Sequence, residues 1–262
     1  MQGRQIVITS MNSITELGYG NEEMWSNILS GKQGFSKKYK TITPRQTSFS
    51  GQVDRSKMKE DYFSSKEVDY LDDVAKFAVS ATLDLAKEEK FFETNMFGYD
   101  PFRVGVNIGV GIFGLGKMSE ASKFFSNKDY SKISYHHLAS MIPNSAPAQI
   151  SIKLGTKGIS TSSSSACTSS LIAIKQSYLE IASGFHDMMV TGGVDAPLED
   201  VWHLGFSKLA LAQSDAENGC NPFSRDRKGT VSAEGAGIIF LEERENALKR
   251  GADIQAEIVG FS

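Results

Sequence analysis

Cys167 ends a run of small residues. Ser162, Ser163, Ser164, Ser165 and Ala166 precede it, and an apolar helical pattern begins at Leu171. A helix start presents unpaired backbone N–H groups and the positive end of the helix dipole. A thiolate at Cys167 is therefore stabilised and can act as a nucleophile. Small neighbours let a substrate come close, and the backbone N–H of Cys167 can face a bound oxygen as half of an oxyanion hole. This is chemistry for accepting an acyl group; an inert, buried thiol is the competing reading. Nucleophilic cysteines commonly work with a histidine. The chain has four, His136, His137, His186 and His203, and none has a sequence setting that compels a catalytic role. His186 stands at the start of a strand, and the pair at 136 and 137 lies on a polar helix, where solvated surface histidines are expected.

The second cysteine, Cys220, is far from the first, without the spacing of a zinc site or a redox pair. The expectation is that Cys167 stays reduced in a cleft and is not bridged to Cys220. The run GVGIFGLG at residues 109–116 lacks the GxGxxG pattern and following acid of a dinucleotide loop. It reads either as a tight strand exit or as a ligand-lining loop.

These residues need a scaffold, and 262 residues with 40% apolar and 23% charged side chains can form one large packed domain or two small ones. Net charge is -3, which argues against a dedicated nucleic-acid binder. The first residues carry no apolar signal segment, and no apolar run free of charge reaches membrane-spanning length, so the expectation is a reduced, cytoplasmic protein off the membrane. Residues 3–10 read as a buried strand, and 22–31 as a helix with Trp25, Ile28 and Leu29 at helical spacing. Residues 38–65 read as an irregular excursion, and 69–90 as one long helix with Val74, Phe77, Ala78, Ala81 and Leu85 on its apolar stripe. A strand over 103–115 breaking into glycines, mixed helix over 136–155 and the Cys167 helix follow. Strands then begin at 187, 229 and 253, the second leading into a short charged helix. Alternating strands and helices make this α/β material.

Seven segments in register carry a resemblance: VITSMNSITELG, EMWSNILSGKQG, IGVGIFGLG, MIPNSAPAQIS, ACTSS, VTGGVDA and the block from Asn221 to Phe261. Together they resemble the N-terminal half of the β-ketoacyl synthases, close to the elongating, acyl-carrier-protein-dependent kind. The resemblance implies a thiolase-like fold, in which two related halves with mixed sheets form an αβαβα body, and this chain (1–262) is the N-terminal half with a buried nucleophile helix. It implies that Cys167 is the acylated nucleophile, that Ile112 and Phe113 line the acyl pocket and control chain length, and that Phe206 falls near the acyl-cysteine. Plain core packing is the alternative for these apolar residues, and for Phe113 it weighs equally. No cofactor or metal is implied; substrates ride on the phosphopantetheine arm of an acyl carrier protein. The other implied partner is the complementary C-terminal half, the pair then dimerising.

The chain departs from the family pattern at Thr9-Ser10-Met11-Asn12, at Glu16, at Arg227-Lys228-Gly229-Thr230, at Ala233 and at Ser170, where a glycine is usual. These changes fit a divergent, specialised-metabolism member. The family's second half, with two catalytic histidines, a lysine and a glycine-rich loop, lies beyond Ser262. The chain then reads as a segment of a longer polypeptide, a cleaved half or one subunit of a split synthase; the starting Met and clean stop favour two chains or a deliberate cut. A non-catalytic chain-length-factor-like subunit is the alternative function, opposed by Cys167. Thiolase or hydroxymethylglutaryl-type chemistry is disfavoured by the PFSRDRKG and AEGAG segments.

Overall fold

A computed structural model describes residues 4–37, 49–208, 220–227 and 229–261. Its centre is a mixed sheet built from β1 (Ile6–Thr15), β2 (Gly18–Tyr19), β5 (Val104–Gly109), β6 (Ser160–Ser163), β7 (Met188–Asp195), β9 (Gly235–Glu243) and β10 (Ala256–Glu257). The strand order is β10-β1-β9-β7-β5-β6, with β2 paired to β1. β1 is antiparallel to β9, and β9 to β7, whereas β7, β5 and β6 are parallel. A smaller sheet joins β3 (Phe35–Lys37), β4 (Phe49–Gly51) and β8 (Ser232–Ala233).

Successive side chains of a strand point to opposite faces, and here both faces are covered. Met188 and Val190 of β7 and Ile238 and Phe240 of β9 join the main core with α3 (Asp73–Glu88) and α6 (Ser145–Leu154). Met189 and Leu241, one residue out of phase, meet Ile181 of α7 (Ser169–Ala182) on the other face. The α3 stripe is buried as its spacing predicts, with Phe77, Ala78 and Ala81 fully inaccessible. Burying a side chain such as Phe77 or Leu85 contributes about 1.5–3 kcal/mol.

The remaining helices are α1 (Asn21–Leu29), α2 (Ser65–Tyr70), α4 (Leu115–Ser126), α5 (Tyr135–Ser140), α8 (Asp200–Lys208) and α9 (Arg244–Lys249). The single helix expected over 69–90 is two. Leu71 is extended, and the Asp72 carboxylate restarts the chain as α3 by accepting from Val74 N at 3.1 Å. The expected strand over 103–115 ends at Gly109, and the last one shortens to two residues. The excursion over 38–65 contains β4 and two single-turn 3-10 helices, with 38–48 outside the described residues. Trp25 and Leu29 of α1 are exposed.

Candidate active site

The carboxyl ends of three parallel strands converge on one edge of the sheet, the usual place for a site in α/β folds. β5 leads into the 110–114 loop, β6 into the turn bearing Cys167, and β7 ends at Asp195. The register aligns Gly109 of β5 with Ser163 of β6 and with Gly193 of β7.

Cys167 sits one residue before the N-cap of α7, Thr168, on a tight turn. Ala166 adopts a left-handed backbone, φ 50°, which a residue with a side chain rarely takes. Two hydroxyls hold the turn: Ser169 Oγ accepts from Ser165 N at 2.9 Å and donates to Ala166 O at 2.6 Å. Thr168 Oγ1 donates to Ser165 O at 2.9 Å. The helix backbone then lies directly on the sheet, because a Cβ at Gly109 would stand 2.4 Å from Ser170 N and one at Gly193 would stand 2.6 Å from Ser170 Cβ. A polar network, buried at Asn107 and Ser163 and reaching Gln176, fixes the same helix. Asn107 Nδ2 donates to Gln176 Oε1 at 3.0 Å, and Ser163 Oγ lies 3.1 Å from Asn107 Oδ1 and 2.7 Å from Gln176 Oε1.

Cys167 and Cys220 are both free thiols. Cys167 is exposed, as are all of residues 164–168, and is not enclosed in the expected cleft. The nucleophile helix likewise departs from a fully buried one. Ser169, Ala173, Ser177 and Ile181 face the sheet, whereas Leu171 is 65% and Leu179 52% exposed on the opposite side. Ile112 and Phe113 lie in the loop after β5. The Ile112 N–H donates to Asp195 Oδ1 at 2.8 Å, and the Phe113 side chain packs partly buried against the main core. Phe206 lies in α8, its ring 4.3 Å from that of Trp202.

The histidines have structural surroundings. His186 Nε2 accepts from Ile159 N at 3.1 Å, and its Nδ1 is 3.0 Å from Glu180 Oε2. His136 stacks on Tyr70. His137 is buried rather than solvated as expected, since its Nδ1 accepts from Ser134 N at the start of α5 and its ring packs edge-on to Phe124. Burial pushes the His203 imidazole below its ordinary range. Among the described residues no group of three His, Cys, Asp or Glu side chains is placed to hold a metal ion, and no helix is long and apolar enough to cross a membrane.

Residue types alone missed Asp195, Asn107, Gln176 and Ser169. An asparagine inside the apolar strand RVGVNIG was the available signal for the network, and an acid directly after VTGGV was the signal for Asp195.

A cysteine-bearing turn at the carboxyl edge of a mixed sheet, followed by a helix laid on two glycines, belongs to a thiolase-like fold. Residues 3–247 match the β-ketoacyl synthase N-terminal domain, and the chain belongs to that family. It is 33% identical to the 3-oxoacyl-[acyl-carrier-protein] synthase 2 of Staphylococcus aureus (strain COL) over 99% of this chain and 63% of the relative. A solved complex of a type II polyketide acyl-carrier protein with its ketosynthase superposes with a TM-score of 0.80 at 27% identity, over 99% of this chain and 63% of that one. The ishigamide ketosynthase/chain length factor superposes with a TM-score of 0.85 at 22% identity, over 98% and 63%, a likeness of fold. The chain thus spans about 63% of the length of the proteins it matches.

Proposed function

We propose that this chain supplies the nucleophile of a 3-oxoacyl-[acyl-carrier-protein] synthase in fatty-acid or polyketide biosynthesis. The observation that carries the reading is Cys167 on a strained, exposed turn directly before the N-cap of α7, in a chain of the β-ketoacyl synthase family.

The Cys167 thiolate attacks the thioester carbonyl of an acyl-carrier protein. A C–S bond forms, and the phosphopantetheine sulfur leaves as a thiolate. A malonyl thioester on a second carrier then loses carbon dioxide, and the electron pair of the broken C–C bond becomes a carbanion. The carbanion attacks the acyl-cysteine carbonyl, and Cys167 leaves as a thiolate, giving the 3-oxoacyl thioester. The Cys167 N–H and the amino end of α7 stabilise charge on the first oxyanion. Ile112, Phe113 and Phe206 shape the acyl pocket, and no cofactor is consumed. Support for a carrier-protein partner comes from the superposed polyketide complex.

Decarboxylation needs groups to stabilise the carbanion, and His136, His137 and His186 are engaged in stacking and hydrogen bonds of their own. The complementary C-terminal portion therefore completes the enzyme, and the exposed Leu171 and Leu179 of α7 form the apolar face it covers. The working unit is a cytoplasmic dimer of completed synthases. A non-catalytic chain-length subunit has no use for a nucleophilic cysteine.

The test combines this chain with its complementary portion, acyl-carrier protein and malonyl-carrier protein. Acyl adducts are mapped by peptide mass, and carbon dioxide and 3-oxoacyl product are measured. An acyl group on Cys167 with both products is the expected result. An acyl group elsewhere, or a Cys167→Ala variant of equal activity, would overturn the proposal.

A further inference from the structure

Asp195 ends β7 beside the candidate site and has no part in the scheme above. In the sheet it pairs with Gly235 of β9, and its carboxylate turns the other way, over the exit of β5. There Oδ1 accepts from Ile112 N at 2.8 Å, and the Gly111 N–H also bonds to the carboxylate. Both N–H groups lie just past the last residue of β5, where the sheet ladder no longer serves them, so the carboxylate satisfies donors that would otherwise be unmatched. Gly111 is what permits the contact. A Cβ there would stand 3.0 Å from Asp195 Oδ2 and 3.4 Å from Ala166 O. The space on the side-chain face of Gly111 is thus taken up by the Asp195 carboxylate and by the Ala166 carbonyl together.

This close approach at Gly111 links two segments far apart in sequence. Ala166 belongs to the turn that presents Cys167, and Ile112 and Phe113 belong to the loop that follows β5. A charged acceptor with two backbone donors is stiffer than a neutral single bond, since charge-assisted hydrogen bonds are roughly twice as strong. Burial pushes the Asp195 carboxyl up, and the two N–H groups oppose that rise. The carboxylate is therefore committed to the loop and not to solvent.

We infer that Asp195 is a positioning residue that sets the acyl-length preference of the site by holding the Ile112–Phe113 loop at a fixed distance from the Cys167 turn. The inference rests on the condensing function proposed above. Asp195 touches neither substrate nor sulfur; it acts through the backbone of residues 111 and 112. Without it, the loop can withdraw from Ala166 while the turn, which Ser169 holds independently, stays in place.

The experiment uses this chain together with its complementary portion, as wild type, Asp195→Ala and Asp195→Asn. Each is offered acyl-carrier protein loaded with octanoyl, dodecanoyl or hexadecanoyl chains, and transfer to Cys167 is timed by peptide mass. Alkylation of Cys167 by iodoacetamide is timed in parallel, as a readout of the turn alone. In Asp195→Ala, transfer of the preferred chain should fall about tenfold, in line with losing hydrogen bonds to a charged acceptor, and the length preference should flatten. Iodoacetamide alkylation should stay near the wild-type rate. Asp195→Asn should be intermediate, because its carboxamide oxygen still accepts from Ile112 N. An unchanged length preference in a folded Asp195→Ala overturns the inference, as does an equal loss for all chains and for iodoacetamide, which would mark a merely structural residue. If Asp195→Ala does not fold, an unchanged preference in Asp195→Asn overturns it in the same way. A wild type that is never acylated on Cys167 overturns the condensing function itself, and this assignment with it.

Discussion

Ser169 Oγ donates to Ala166 O at 2.6 Å, and so the first residue of the nucleophile helix fixes the left-handed residue that precedes Cys167. The same oxygen accepts from Ser165 N. A strained backbone persists only where its surroundings over-determine it, and here a buried hydroxyl does so from within the turn. Ser169→Ala should therefore destabilise the protein by about 0.5–1.5 kcal/mol, because Ser165 N loses its acceptor and Ala166 O keeps only the backbone N–H of residue 169. It should also slow alkylation of Cys167. Urea unfolding and iodoacetamide kinetics measure the two effects, and an unaltered alkylation rate would separate the turn from the hydroxyl.

Gly109→Ala tests the seating of the same helix. The new Cβ would meet Ser169 C and Ser170 N, both at 2.4 Å. Those are backbone atoms that cannot rotate away, so α7 must lift from the sheet. A loss of about 1–3 kcal/mol is expected, as for other overpacked sites. A melting temperature equal to wild type would show that the helix yields more easily than its contacts suggest.

Asp187 predicts an acid limb in stability. Hydrogen bonds from Arg103, then the Arg4 contact at 3.2 Å, hold its carboxyl below the usual carboxylate range. The folded state therefore binds this proton less readily than the unfolded state. The contribution is complete above the unfolded carboxylate value of about 3.9 and is lost as pH falls through the lower folded value. Both arginines are partly exposed, so about 1 kcal/mol or less is at stake. Asp187→Asn should lower stability at neutral pH and make the decline at acid pH shallower. Parallel pH–stability curves for the two proteins would count against the pairing.

Phe113→Ala separates pocket from core. If the ring limits acyl length, the variant accepts longer chains, each added methylene removed from water contributing about 0.8 kcal/mol. If the ring serves only the main core that it packs against, the variant loses stability and keeps its product lengths. Product chain lengths from the completed synthase decide between them.

Leu171→Glu with Leu179→Glu places charge on the exposed stripe of α7. The variant chain should be more soluble alone, since exposed large apolar side chains favour association. It should fail to bind the complementary portion in a co-purification assay, because a charge buried without a partner is costly. Full recovery of the partner would show that this face is not the one covered.

Much of the site was legible in the residues. Cys167 among small residues ahead of an apolar helical pattern announced a cysteine at a helix start, and the alternation of strand and helix patterns announced an α/β body, because both follow from periodicity and local backbone preference. Local rules also account for Asp72, whose side chain breaks a continuous apolar pattern into two helices, although the pattern by itself concealed the break. Tertiary structure alone decided the rest. Asp195 reaches Ile112, Ser163 meets Asn107 and Gln176, and Gly109 lies under Ser170 only because parallel pairing brings the carboxyl ends of β5, β6 and β7 to one edge. Those partners are separated by up to 83 residues of chain. No local propensity encodes such distances, since they are set by strand order and register, which depend on burying both faces of one sheet at once.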